Sequence, residues 1–130
     1  MGLDLTIYGT SNYKQDENGR DTWTVTALQR FNNFWKMNEI LTWKFSNYEN
    51  CATIDISIEE LQEILDELKD NKQEIIDGEV IKWSNETEEH FKSRMANDLQ
   101  QFNAEIEGLE KFLNSDDLHD FSDIQIHGWW

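Results

Sequence analysis

Apolar and polar residues alternate in three short stretches of the chain. The period of two runs through residues 3–7 (LDLTI), 52–56 (ATIDI) and 123–128 (DIQIHG). Alternation of this kind is typical of strands with one buried face. It predicts one strand at each end of the chain and a third near the middle.

A hairpin is expected in the first part of the chain. Residues 22–26 are rich in β-branched and aromatic side chains, and Asn18-Gly19 is a turn-forming dipeptide. We therefore predict that residues 3–8 pair with residues 21–25 across a long polar connection.

The clearest helical pattern begins at residue 91. Apolar side chains recur there at steps of four or three residues, as on one face of an amphipathic helix. These positions are Phe91, Met95, Leu99, Phe102, Ile106, Leu109 and Leu113. We expect Asn114 and Ser115 to end this helix.

A second helix is predicted over residues 57–70. Ser57 and Glu60 have the spacing of a capping box, in which each side chain accepts a hydrogen bond from the other residue's backbone. Apolar residues follow at helical steps, which predicts one face docked on the core. Residues 71–86 fit either an extension of this helix or a short hairpin.

Residues 27–45 predict a third helix, because they contain no helix-breaking residue and their apolar side chains fall near helical spacing. The apolar positions spread around most of the circumference. Such a helix is either central to the core or shares a face with a partner. A homodimer through helix 27–45 is therefore one hypothesis.

These elements predict an α+β fold in which a small antiparallel or mixed sheet of terminal strands packs against about three helices. A chain of 130 residues is expected to form a single domain over 1–130. The strand–helix order does not repeat, and no internal repeat is visible.

Charge divides the chain in two. Residues 1–54 carry six acidic and five basic side chains, a net of −1, whereas residues 55–130 carry 21 and six, a net of −15. A field this negative repels nucleic acids and membrane surfaces and attracts basic protein surfaces. We therefore expect no direct nucleic-acid binding and no membrane binding, but a basic and nucleic-acid-binding protein partner.

The cellular location follows from cysteine and hydropathy. Cys51 is the single cysteine, so no internal disulfide forms, and a small half-buried residue is expected there. No stretch approaches the roughly 18 apolar residues of a membrane span, and no signal-peptide pattern opens the chain. The expectation is the cytoplasm of a bacterial host.

Catalytic and metal-binding patterns are weak. There is no glycine-rich phosphate loop and no nucleophile elbow. Glu86 and His90 are four residues apart, and His119 or His127 would have to add further ligands. A surface histidine beside a carboxylate explains this spacing more simply, so neither an enzyme nor a metal or cofactor is expected.

Two acidic patches are the candidate contact sites. On the second helix, carboxylates recur about once per turn, and a shorter run lies near the end of the chain. The first patch consists of Glu59, Glu63, Asp66, Asp70, Glu74 and Asp77, and the second of Asp116, Asp117 and Asp120. The terminal Trp129 and Trp130 either close the core or anchor a partner.

The opening sequence MGLDL resembles the start of a loose group of small proteins encoded by bacteriophages and prophages. That group is similar in its aromatic-rich helix, represented here by Trp35, Asn38 and Trp43, and in a short strand that runs into a capped helix, as in residues 54–68. The resemblance implies a phage context but no activity.

The leading hypothesis is thus a phage-encoded inhibitor of a host nucleic-acid-binding or defence complex, of the CRISPR-effector type, acting by DNA mimicry. The alternatives are a homo-oligomerising phage accessory protein and a small metal-dependent enzyme.

Overall fold

The computed structural model describes residues 2–116, 118, 121 and 123–130, except for the side chains of residues 12 and 13. Four strands and three helices follow one another in the described chain. In order, they are β1 (Asp4–Gln15), β2 (Asp21–Asn32), α1 (Trp35–Lys44), β3 (Thr53–Ile56), α2 (Ile58–Ile76), α3 (Glu88–Leu113) and β4 (Asp123–Trp129).

The strands form one antiparallel sheet in the order β2-β1-β4-β3. Ile7, Ile126 and Ile54 are neighbours across three of its strands, and all three are buried. The sheet and three helices confirm the predicted α+β class. The strands expected over 52–56 and 123–128 are also confirmed, with small shifts at their ends.

The first hairpin is present, but it pairs different segments from the predicted ones. Asp4 lies opposite Asn32 and Ser11 lies opposite Thr24, so residues 3–8 do not pair with residues 21–25. Both strands are longer than expected, and their pairing has two irregularities in register, one between Ile7 and Tyr8 and one between Ser11 and Lys14. The turn at Asn18-Gly19 is present, with Gly19 at a left-handed φ of 78°.

The predicted helix over 27–45 is wrong in its first part. Residues up to Asn32 belong to β2, and α1 covers only Trp35–Lys44. Pairing with β1 overrides the local helical spacing, and it places Phe31 beside Leu5 in the core. Asn33 then breaks the strand with a φ of 60°, and its Oδ1 accepts the backbone N–H of Leu3 at 3.0 Å.

The other two helices follow their sequence patterns closely. The capping box of Ser57 and Glu60 is present, with both hydrogen bonds at 3.0 Å. The helix continues past residue 70 to Ile76, where Gly78 at a φ of 70° accompanies its end. Residues 71–86 are thus helix extension followed by loop. The last helix begins at Glu88, three residues before the first apolar position of the predicted pattern, and Asn114 caps its end, where the helix was expected to stop.

The hydrophobic core lies between one face of the sheet and the helical layer. Buried side chains from every strand and helix join in one cluster. On the other face, the sheet carries polar residues, such as the cross-strand row of Thr6, His127 and Thr53. The molecule therefore has two layers, with the acidic helices on one side and an open sheet face on the other.

Glu105 of α3 is fully buried and caps the N-terminus of α1. Its carboxylate accepts the backbone N–H groups of Lys36 at 3.1 Å and Met37 at 2.7 Å, and Gln101 Nε2 donates at 2.7 Å. Phe34 occupies the N-cap position and offers no side-chain acceptor. The capping function that Ser or Asp usually performs locally is thus supplied from another helix.

Candidate functional site

The carboxylates predicted as a contact edge lie together on α2 and its C-cap. All six are exposed, namely Glu59, Glu63, Asp66, Asp70, Glu74 and Asp77. At about 100° per residue they fall within an arc of about 80°. This arc is opposite the buried residues Leu61, Ile64 and Leu68. We call these six residues the acidic stripe.

The local sequence explains both sides of this helix. The capping box fixes its start, and the apolar positions on the opposite arc pack against α3 and the sheet. With a rise of about 1.5 Å per residue, the stripe from Glu59 to Asp77 is about 27 Å long. The core packing therefore orients the stripe toward solvent.

Among the described residues, only weak ion pairs reach the acidic stripe. Lys44 Nζ of α1 lies 3.4 Å from Glu63 Oε2 and 3.7 Å from Glu67 Oε2. Lys69 of α2 turns away to Glu110 of α3, at 2.9 Å. Because exposed pairs of this kind contribute little energy, these cations leave most of the negative surface available.

The second predicted patch is only partly described. Asp116 is exposed in a short turn after α3. Asp117 and Asp120 lie outside the described residues. The structure therefore brings together the six members of the first patch, and it shows one member of the second.

A polar cluster joins the loop before α3 to that helix. Glu86 is buried and accepts hydrogen bonds from Nε and Nη2 of Arg94, both at 2.8 Å, while His90 Nδ1 lies 2.5 Å from its Oε2. The Arg94 guanidinium lies 3.8 Å from the centroid of the Trp83 ring. Chiefly through the Arg94 hydrogen bonds, these contacts lower the pKa of Glu86 to about 2. We call this cluster the loop clasp.

The loop clasp contains Glu86 and His90, the two residues considered as ligands in the metal-site alternative. Both carboxylate oxygens of Glu86 are engaged by Arg94, and His127 Nδ1 lies 2.9 Å from Thr53 Oγ1 on the sheet. His119 lies outside the described residues. Within the described part of the chain, no three His, Cys, Asp or Glu side chains are placed to hold a metal ion.

The meeting point of α1, α2 and α3 contains a groove of about 340 Å³ that sequence reasoning missed. Its apolar lining is Ile40, Trp43, Ile75, Val80, Met95 and Phe102. Its charged lining is Lys36, Glu39, Glu67, Glu74 and Asp98. We call it the three-helix groove. The residues come from segments far apart in sequence, so periodicity within any one segment does not reveal it.

The structure shows where Cys51 and the two terminal tryptophans lie. Cys51 is exposed at a φ of 67°, so the half-buried position predicted for it is wrong. Trp130 packs on Tyr48, with 5.6 Å between ring centroids, and so helps to close the core. Trp129 is 60% exposed.

Comparisons of the chain with protein-family models, curated proteins and solved structures gave no match. Among the described residues, none of the helices combines the length and the hydropathy needed to cross a bilayer.

Proposed function

We propose that the protein is a non-enzymatic binding protein whose acidic stripe engages a basic, nucleic-acid-binding protein. The observation that carries this proposal is the alignment of six exposed carboxylates on one helix face. They are spaced by about 5 Å on average, whereas phosphates on one DNA strand advance about 3.4 Å. The proposed mimicry is therefore of the negative field rather than of individual phosphate positions.

The total charge supports the same proposal. A net charge of −16 on 130 residues is well above the magnitude of about 2–8 that keeps a small domain soluble. The excess negative charge opposes folding through repulsion within the chain. The same charge attracts a basic surface over a long range. The expected gain is fast, salt-sensitive association with a cationic groove.

In its most concrete form, the proposal is inhibition of a host replication or defence complex, such as a CRISPR effector. The acidic stripe would occupy the basic channel that otherwise holds nucleic acid. The phage context comes from the resemblance of the MGLDL start and of the aromatic segment. The mode of action comes from the charge and position of the stripe.

The first experiment is capture of partners by the tagged protein from nuclease-treated bacterial lysate. We expect a DNA- or RNA-binding protein that is retained at low salt, released at high salt and displaced by added DNA. A bare eluate contradicts the proposal.

Charge reversal then assigns the contact to the acidic stripe. The stripe variant carries Glu63, Asp66, Asp70 and Asp77, each replaced by Lys, and it should lose the captured protein. A control variant with the same change in net charge replaces four exposed carboxylates elsewhere, at Glu17, Glu49, Glu89 and Glu107. If both variants lose the partner equally, total charge rather than the stripe is responsible.

Self-association is a second candidate function, and the edge strand β2 favours it. Trp23 is 55% and Val25 is 60% exposed on this strand. A long exposed edge is a template for pairing with another copy. Light scattering at micromolar concentration should then show a dimer that Val25→Lys disrupts. A monomeric wild-type protein excludes this candidate.

A further inference from the structure

Trp43 stands at the three-helix groove with 86% of its surface exposed. Tryptophan is enriched among the residues that dominate binding energy at protein interfaces. Glu39, one turn earlier on α1, is also exposed and lines the same groove. The mouth of the groove thus presents an aromatic anchor and a carboxylate side by side.

The groove already accommodates one ammonium group. Lys36 Nζ lies 3.1 Å from Asp98 Oδ1 and 5.2 Å from the centroid of the Phe102 ring. A cation held between a carboxylate and an aromatic face is favourable, and tryptophan provides the strongest face. Trp43 with Glu39 offers a second cation the same chemistry at the groove mouth.

The charges around the groove favour a cationic partner over a second copy of this chain. Lys36 pairs with Asp98 and Lys44 with Glu67, while Glu39 and Glu74 form no ion pair among the described residues. A second copy of this chain would bring its own net charge of −16 to this acidic rim. A cationic protein segment complements both the rim and the apolar floor.

We infer that the three-helix groove is the docking site for an apolar side chain flanked by lysine or arginine on the basic partner. The inference rests on the proposed function and adds a short-range anchor to it. Glu74 belongs both to the acidic stripe and to the groove lining. A partner attracted by the stripe therefore meets the groove next to it, where apolar contact with an aromatic anchor adds short-range binding energy to the long-range attraction.

The test uses two synthetic helical peptides of 18 residues, roughly five turns, with identical lysine positions. One carries leucine at the i, i+3, i+4 and i+7 positions, and the other carries glutamine there. We expect the leucine peptide to bind the wild-type protein about tenfold or more tightly in calorimetry. Trp43→Ala should abolish this preference, whereas Trp129→Ala, on a 60% exposed control residue, should preserve it.

The outcomes separate the inference from the proposed function. Equal affinities for the two peptides, or an unchanged preference in Trp43→Ala, overturn the groove inference and leave stripe-mediated binding intact. The stripe variant, with its four lysine replacements, should weaken both peptides by a similar factor. If neither peptide binds the wild-type protein at low salt, both proposals fail. Circular dichroism should show that Trp43→Ala retains the fold, since this side chain is largely outside the core.

Discussion

Glu86 and Glu105 are both buried carboxylates, but their surroundings shift their pKa values in opposite directions. Glu86 is engaged by a guanidinium and an imidazole, and its pKa falls to about 2. Glu105 receives neutral N–H donors at the start of α1, and burial raises its pKa above the usual value. For Glu105 the cost of burying the charge outweighs the hydrogen bonds that lower its pKa, whereas for Glu86 the hydrogen bonds from Arg94 outweigh that cost.

The two groups therefore contribute to stability in opposite pH ranges. A carboxyl with a lowered pKa stabilises the fold above its unfolded pKa and loses that contribution as the pH falls through its folded pKa. A carboxyl with a raised pKa favours the fold most when protonated, and it opposes folding increasingly as the pH rises through its folded pKa. Glu86 is the first case and Glu105 the second.

The largest effect is expected from Glu105→Ala. Loss of the carboxylate removes the acceptor that the N–H groups of Lys36 and Met37 have among the described residues. Unsatisfied buried donors and a lost cap should lower the free energy of unfolding by about 2–4 kcal/mol. Urea denaturation measures this, with Glu107→Ala on the exposed side of α3 as the control. A loss no greater than that of the control refutes the capping role.

An intermediate effect is expected from Glu86→Gln, and it depends on pH. The pKa of Glu86 is about 2 in the fold against an ordinary 4.5, so its stabilisation is complete above pH 4.5 and disappears as the pH falls toward 2. The wild-type protein should therefore lose more stability than the variant between those two pH values. Urea midpoints at several pH values provide the comparison. Parallel curves would show that Arg94 does not hold this carboxyl ionised.

The smallest effect is expected from His90→Ala. The His90 side chain is 61% exposed, so removal of its contact with Glu86 should change stability by only about 0.5 kcal/mol. Arg94→Ala should cost more, because Glu86 then remains buried without its guanidinium partner. Thermal unfolding of the two variants ranks the contacts. The reverse order would make the imidazole the principal partner.

Features encoded by neighbouring residues were predictable. The capping box of Ser57 and Glu60 and the apolar steps of α2 and α3 depend on residues within a few turns. The strands at 53–56 and 123–129 follow simple alternation. The exposed side of α2 follows from the same periodicity, which is why the six carboxylates of the acidic stripe could be placed on one face.

Features that depend on distant segments were not predictable. Residues 27–32 have acceptable helical spacing, and only their pairing with β1 makes them a strand. Nothing in the sequence near Glu105 distinguishes it from the other acidic residues. Its capping role depends on the position of α1, whose N–H groups donate to it. The spacing of Glu86 and His90 is visible in the sequence, but Arg94 and Trp83 complete the loop clasp through contacts that the spacing does not reveal. That the acidic stripe contacts a partner stays a prediction.

The placement of charge also has a consequence for colloidal behaviour. The edge strand β2 exposes Trp23 and Val25, while the excess acid belongs to the part of the chain that builds the helical layer. Near the isoelectric point of about 4.3, mutual repulsion between copies vanishes. Strand edges are then no longer kept apart by charge, and insolubility on mild acidification should begin at β2. The negative charge of the helical layer thus reduces aggregation through the exposed edge of the sheet.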